Sequence, residues 1–281
     1  MSTAQHRPEI LTRFEDYLLA SKGLAFTSTE LNVGFVRRAI REIGESPAAA
    51  DIEAYIASLR KRGANYGTVS NAIKAMDHFA TFLGTQVQLQ RPRKPKHTKV
   101  APLSEAKVAV LLATGCRDLR ETAIISTLAY SGIRNSELCR LRTSDVKVDQ
   151  QALFIEQGKE SKDRLAVVSG DCLALLVKYI EVYGRRPDDL LFVTVRNRTQ
   201  LHQQDLRKIV RTAAARAGVD ARVFPHLFRH SLATSMLTRG ASPIAVMEQL
   251  GHAHLQTTME YAHAVRGRQR AEYDQFVPSY L

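Results

Sequence analysis

The chain has 281 residues, 44% of them apolar, and carries 40 lysines and arginines against 28 acids, a net charge of +12. That length predicts about two domains, and the charge points to a polyanionic partner, nucleic acid ahead of an acidic membrane surface. Three cysteines without CxxC pairing (Cys116, Cys139, Cys172) exclude a disulfide framework or a cysteine zinc site.

The excess charge is spread over the chain. Residues 1–100 hold 15 basic and 9 acidic side chains and residues 101–281 hold 25 and 19, so each part is +6. Both parts are then expected to face the same polyanion. The opening MSTAQHRPEI has no apolar leader core, and no apolar run approaches the ~20 residues of a membrane span. The expectation is a cytoplasmic, nucleoid-associated protein with no membrane partner.

In chain order, Ile10, Leu11, Phe14 and Leu18 form a helical stripe, and Leu31, Phe35, Ile40 and Ile43 form a looser second one. A third helix is predicted to open at Ser46-Pro47 and end at Gly63. Thr68 reads as the cap of a fourth, which carries Ile73, Met76, Phe79 and Phe82 and ends at Gly84. Residues 1–90 are thus a helical bundle. The stretch RPRKPKHTKVAP, residues 91–102, has five basic residues, no acid and three prolines. It reads as an extended linker, either a solvated hinge or a strap whose Arg91, Arg93, Lys94, Lys96 and Lys99 lie along phosphates.

Residues 103–281 form the second domain. Ser104 caps a helix, a longer one covers 117–131 and ends at Gly132, and alternation over 146–168 predicts a three-stranded antiparallel sheet whose second turn is GKESKD. Asp171 is placed as the next cap, LLFV (190–193) as a short strand, and helices fill most of the rest. The fold class is mainly α with a small antiparallel sheet, α+β.

The polar residues near the end have no folding rationale. His226, Arg229 and His230 stand at i, i+3 and i+4 and share one helix face. Gly251 ends the following helix, His252 comes directly after it, and Tyr261 lies nine residues on. Upstream, Arg134 sits just past a helix end with Glu137 three residues later, and Lys159 lies in the hairpin turn. Singly, each has a bland reading: Arg134 as a surface arginine paired with Glu137, Lys159 as a solvated lysine, the histidines and tyrosine as structural side chains.

Together, SGIRNSELCRLR, GKESKDR, PHLFRHSLAT and LGHAHLQTTMEYAH, in that order, resemble the tyrosine recombinases, the phage-integrase and Xer-type family. The resemblance covers about residues 100–265 and implies a catalytic domain behind a helical core-binding, DNA-binding domain. It makes Arg134 and Arg229 the two catalytic arginines, Lys159 the hairpin lysine, His226 the partner of Arg229 in His-x-x-Arg, His252 the second histidine, and Tyr261 the nucleophile.

The chemistry of these side chains suits that assignment. Two guanidiniums grip the non-bridging phosphate oxygens and stabilise the charge that builds in the transition state. A free phenol titrates near 10, so Tyr261 needs cations and a base to attack. The expected function is site-specific DNA recombination through a 3′-phosphotyrosyl link, requiring no metal, ATP or cofactor. The partners are double-stranded recombination sites and a homotetramer on DNA, with the C-terminal tail docking in cis or in trans. A mobile-element integrase or resolvase is the first expectation, a Xer-like chromosome or plasmid dimer resolvase the second, and a non-catalytic DNA-binding regulator the reading from another class.

Overall fold

Apolar spacing builds the first four elements. In the computed structural model, residues 8–93, 101–156, 163–219 and 222–251 are described. The chain divides into two compact units, Met1–Lys99 and Val100–Leu281.

In the first unit, helix α1 (Glu9–Ala20) buries Leu11, Phe14 and Leu18, as its stripe predicts. Helix α2 (Phe26–Ile43) turns Phe35, Ile40 and Ile43 to the core as expected, but Leu31 is exposed and Val33 and Val36 are buried. Helix α3 (Ala49–Lys61) opens after Pro47, not at Ser46, because the Asp51 carboxylate accepts from the Ala48 amide at 2.9 Å. Helix α4 (Tyr66–Leu83) is capped by Asn65, whose Oδ1 accepts from the Thr68 amide at 2.9 Å. The cap is the Asn65 side chain, and Thr68 supplies only the amide that donates to it. Phe14 meets Phe79 edge-on at 5.2 Å and Phe82 at 5.6 Å, which locks α1 to α4.

The second unit opens with Ser104 capping α5 (Glu105–Val110). Helix α6 (Leu119–Ser131) follows, capped by Asp118 and ended by Gly132 in the left-handed region at φ 64°. A short α7 (Asn135–Arg140) leads to strands β1 (Val146–Lys147), β2 (Ala152–Ile155) and β3 (Arg164–Val167). They form an antiparallel sheet in the order β1-β2-β3, with Ile155 opposite Arg164 at the open end. Helix α8 (Gly170–Val182) takes its cap from Ser169, two residues before the expected Asp171.

LLFV is not a strand. Only isolated bridges form, Arg142 to Leu190 and Val193 to Gln200. Two guanidinium nitrogens of Arg120 occupy the Val193 carbonyl at 3.0 and 2.6 Å, while Leu191 and Phe192 sink into the core. The segment is held by a side chain from α6 and single backbone bonds such as Leu191 to Leu141 at 2.7 Å, without a continuous ladder.

Helices α9 (Gln203–Arg216), α10 (Pro225–Thr238) and α11 (Pro243–Leu250) complete the unit. Pro225 and Pro243 occupy first helical positions, where the missing N–H costs nothing. Helix α6 is central and packs against both α8 and α10. Its C-terminal turn is also pressed against α10 and α11: a Cβ on Gly132 would lie 2.6 Å from Leu250 Cδ2 and 2.9 Å from Leu232 Cδ2. Among the described residues, no helix is long and apolar enough to cross a membrane.

Candidate active site

Gly132 ends α6 and turns the chain so that Arg134 becomes the residue before α7. Glu137, on the first turn of α7, accepts from the Arg134 amide at 2.7 Å and from its Nη1 at 2.7 Å. Arg134 Nη2 donates to the Gly251 carbonyl at 2.8 Å. The pairing with Glu137 is therefore real, but it does not make Arg134 an ordinary surface arginine. Its guanidinium is held from two sides, yet its side chain remains 39% exposed. A cation so oriented and still open to solvent is ready for an anion.

Arg229 comes from α10 and is 1% exposed. Its Nη1 donates to the Gly132 carbonyl at 2.9 Å, so the turn that leads to Arg134 also receives Arg229. His226 lies one helical turn earlier on α10. Desolvation, followed by the positive charges of Arg229, His230 and Arg134, pushes its imidazole below the ordinary 6.5. The result is a neutral imidazole at pH 7 among cations, fit to accept a proton.

Two supporting residues carry no role in the sequence reading, although Arg164 closes the GKESKDR motif. Arg164 opens β3 and forks onto Glu137 at 2.8 and 3.2 Å, with its side chain 8% exposed. Gln249 on α11 donates to the carbonyls of Ser131 at 3.1 Å and Val167 at 2.9 Å, and accepts from the Val167 amide at 3.1 Å. It stitches α11 to the end of α6 and to β3, fixing the approach to Gly251. Burial pushes the Glu137 carboxyl up, but the Arg164 fork, the Arg134 amide, the Arg164 charge and the Arg134 side-chain bond outweigh it and hold it at about 2.

Arg134, His226 and Arg229 are thus brought together. Lys159, His252 and Tyr261 lie outside the described residues, as do Lys94, Lys96 and Lys99. Arg91 and Arg93 are exposed at the end of the first unit. Among the described residues, no group of three or more His, Cys, Asp or Glu side chains is placed to hold a metal ion.

Two guanidiniums beside an imidazole have the chemistry to hold a phosphate ester. The profile described as "Phage integrase family" matches residues 102–268. The chain is 32% identical over 262 residues to tyrosine recombinase XerA of Pyrococcus furiosus, covering 91% of this chain and 89% of that protein. It is 35% identical over 198 residues to tyrosine recombinase XerD of Ralstonia nicotianae, covering 67% and 62%. A crystal structure of XerA recombinase is similar with a TM-score of 0.57 at 29% identity, covering 97% of this chain and 99% of that one. The Tn1549 transposon integrase in complex with transposon right-end DNA shares the fold, with a TM-score of 0.71 at 18% identity and coverage of 95% and 99%. The chain belongs to the phage integrase family, the tyrosine recombinases.

Proposed function

We propose that this tyrosine recombinase cuts and rejoins DNA at specific sites through a 3′-phosphotyrosyl intermediate. The observation that carries the proposal is the meeting of Arg134 and Arg229 at the Gly132 turn with His226 beside them. Tyr261 attacks the phosphorus, its proton passes to His226, and the 5′-oxygen leaves with a proton from Lys159. Arg134, Arg229 and His252 hold the non-bridging oxygens as charge builds on them. In the reverse step a 5′-hydroxyl attacks the phosphotyrosine and the phenol recovers its proton. The link conserves the energy of the phosphodiester, so rejoining needs no ATP.

Residues 1–90 serve as the core-binding domain, the basic linker 91–102 follows the phosphates, and residues 103–281 carry the chemistry. Relatives with this fold have been seen on DNA: XerH recombinase on a palindromic difH substrate and lambda integrase as a dimer on a COC′ core site. By extension, this chain works on duplex recombination sites as a tetramer, with its tail docking on a neighbouring protomer. Between the two biological roles, relatives that span nearly the whole chain carry Xer names and favour a Xer-type resolvase. The mobile-element integrase reading draws on the transposon integrase structures, which at 18% identity speak for the fold alone.

A nicked half-site duplex tests the chemistry, because the cut fragment diffuses away and traps the adduct. Wild-type protein accumulates a covalent protein–DNA species, and Tyr261→Phe binds the duplex but forms none. An adduct with the phenylalanine variant would place the nucleophile elsewhere. Plasmids bearing two sites test the role: deletion between sites in one circle supports resolution, and preferential joining of separate molecules supports integration.

A further inference from the structure

The Arg134 contacts form part of a closed ring. Arg134 Nη1 binds Glu137 Oε1, and Glu137 Oε2 receives Arg164 Nη2. Arg164 Nε donates to the Gln249 carbonyl at 3.4 Å, and the same side chain fills the space where a Cβ on Gly251 would stand. The Gly251 carbonyl returns to Arg134 Nη2 at 2.8 Å. Each member comes from a different element: the α6–α7 turn, α7, the start of β3 and the end of α11.

Arg164 is the member that joins them. A carboxylate has about four lone-pair sites, and both Glu137 oxygens are shared between two arginines. Without the Arg164 fork, this buried carboxylate is held only by the Arg134 amide and guanidinium, so Arg134 would be aiming against a partner with half its bonds gone. Arg164 also sets the other contact. A Cβ on Gly251 would lie 2.7 Å from Arg164 Cδ, Nε and Nη1, so the turn presents its carbonyl while resting on this side chain. Gly251 has φ 64°, a conformation that glycine adopts at no steric cost. Ion pairing for stability alone would not need a fork 8% exposed that is shared with an arginine still open to solvent.

We propose that Arg164 is a positioning residue for DNA cleavage, aiming the Arg134 guanidinium through the Glu137 carboxylate and the Gly251 turn. The inference rests on the reading above that Arg134 grips the scissile phosphate. It makes the first strand residue after the hairpin turn part of the machinery without contact to DNA.

The test is a double-mutant cycle read as single-turnover cleavage at saturating nicked half-site DNA, with gel-shift affinity and melting recorded for every variant. Arg164→Ala is expected to lower the cleavage rate by up to about 100-fold, the scale of a misplaced catalytic group, while half-site affinity changes less than about twofold. Arg164→Lys, which keeps the charge but not the fork, is expected to recover part of the loss, and it carries the test if the alanine variant does not fold. The deciding result is the pair: Arg134→Ala with either Arg164 substitution should cleave no more slowly than Arg134→Ala alone, since an aim has no value once the guanidinium is gone. Additive losses, or wild-type cleavage by both Arg164 variants, would overturn the proposal. Normal cleavage by Arg134→Ala would instead overturn the reading it rests on.

Discussion

Glu137→Gln isolates the charge at the centre of the arginine ring while keeping its shape. The carboxylate side chain is 4% exposed and accepts from the Arg134 amide and guanidinium and from two nitrogens of Arg164. Its titration is displaced from an ordinary 4.5 to about 2. That displacement corresponds to about 3 kcal/mol of stability at neutral pH, the low end expected for breaking a buried pair. A carboxyl depressed by folding stabilises above its unfolded value and loses that contribution as pH falls through 4.5 toward about 2. Urea denaturation should therefore show Glu137→Gln less stable than wild type by about 3 kcal/mol at pH 7, shrinking to about half of that at pH 3. The amide mimics the protonated acid, so the two proteins converge in acid. A deficit below about 1 kcal/mol at pH 7, the scale of a surface pair, would refute the reasoning. So would a deficit that is the same at both pH values.

Arg134→Ala and Arg229→Ala should each slow covalent-adduct formation by at least about 100-fold, the cost of one transition-state donor. Lysine should recover little at either position because it lacks the fork, and full activity in a lysine variant would count against a phosphate clamp. The cleavage rate should fall on acidification along a limb centred below pH 6.5, since His226 must be neutral to take a proton and its neighbours depress its value. His226→Gln should flatten that limb in a pH–rate profile, and a limb centred above 6.5 would contradict the assignment. Neutralising Arg91, Arg93, Lys94, Lys96 and Lys99 together should weaken binding equally across DNA sequences and flatten its salt dependence by up to ~0.9 per lost phosphate contact. An unchanged slope in a salt titration would make the linker a hinge.

Features set by neighbours in sequence were the ones legible in advance. The α1 stripe, the sheet over 146–168 and the glycine ends Gly84, Gly132 and Gly251 are local patterns, and the structure has them. Cap identity was less legible, because Ser169 and Asp171 are both good cap types and only backbone direction decides which oxygen reaches an amide. The α2 stripe holds at Phe35, Ile40 and Ile43 and fails at Leu31, where the helix turns Val33 and Val36 into the core instead. At the site, Arg134, His226 and Arg229 were named from motif spacing. The roles of Arg164, though it closes the GKESKDR motif, and of Gln249 are not legible there, because a polar residue in an apolar strand or helix has no periodic signature and their bonds reach partners far along the chain.

The glycine at 132 has a consequence for reading such sequences. Its carbonyl receives Arg229, its turn delivers Arg134, and no side chain fits between it and Leu232 and Leu250. Replacing that one hydrogen with a methyl group would strain the backbone at φ 64° and press on Leu232 and Leu250, disturbing the turn that serves both arginines while leaving every charged or nucleophilic residue spelled out in the chain. Across a lineage, a silenced copy could thus keep a complete set of reactive letters. The place to look for decay is the one position that contributes no side chain at all.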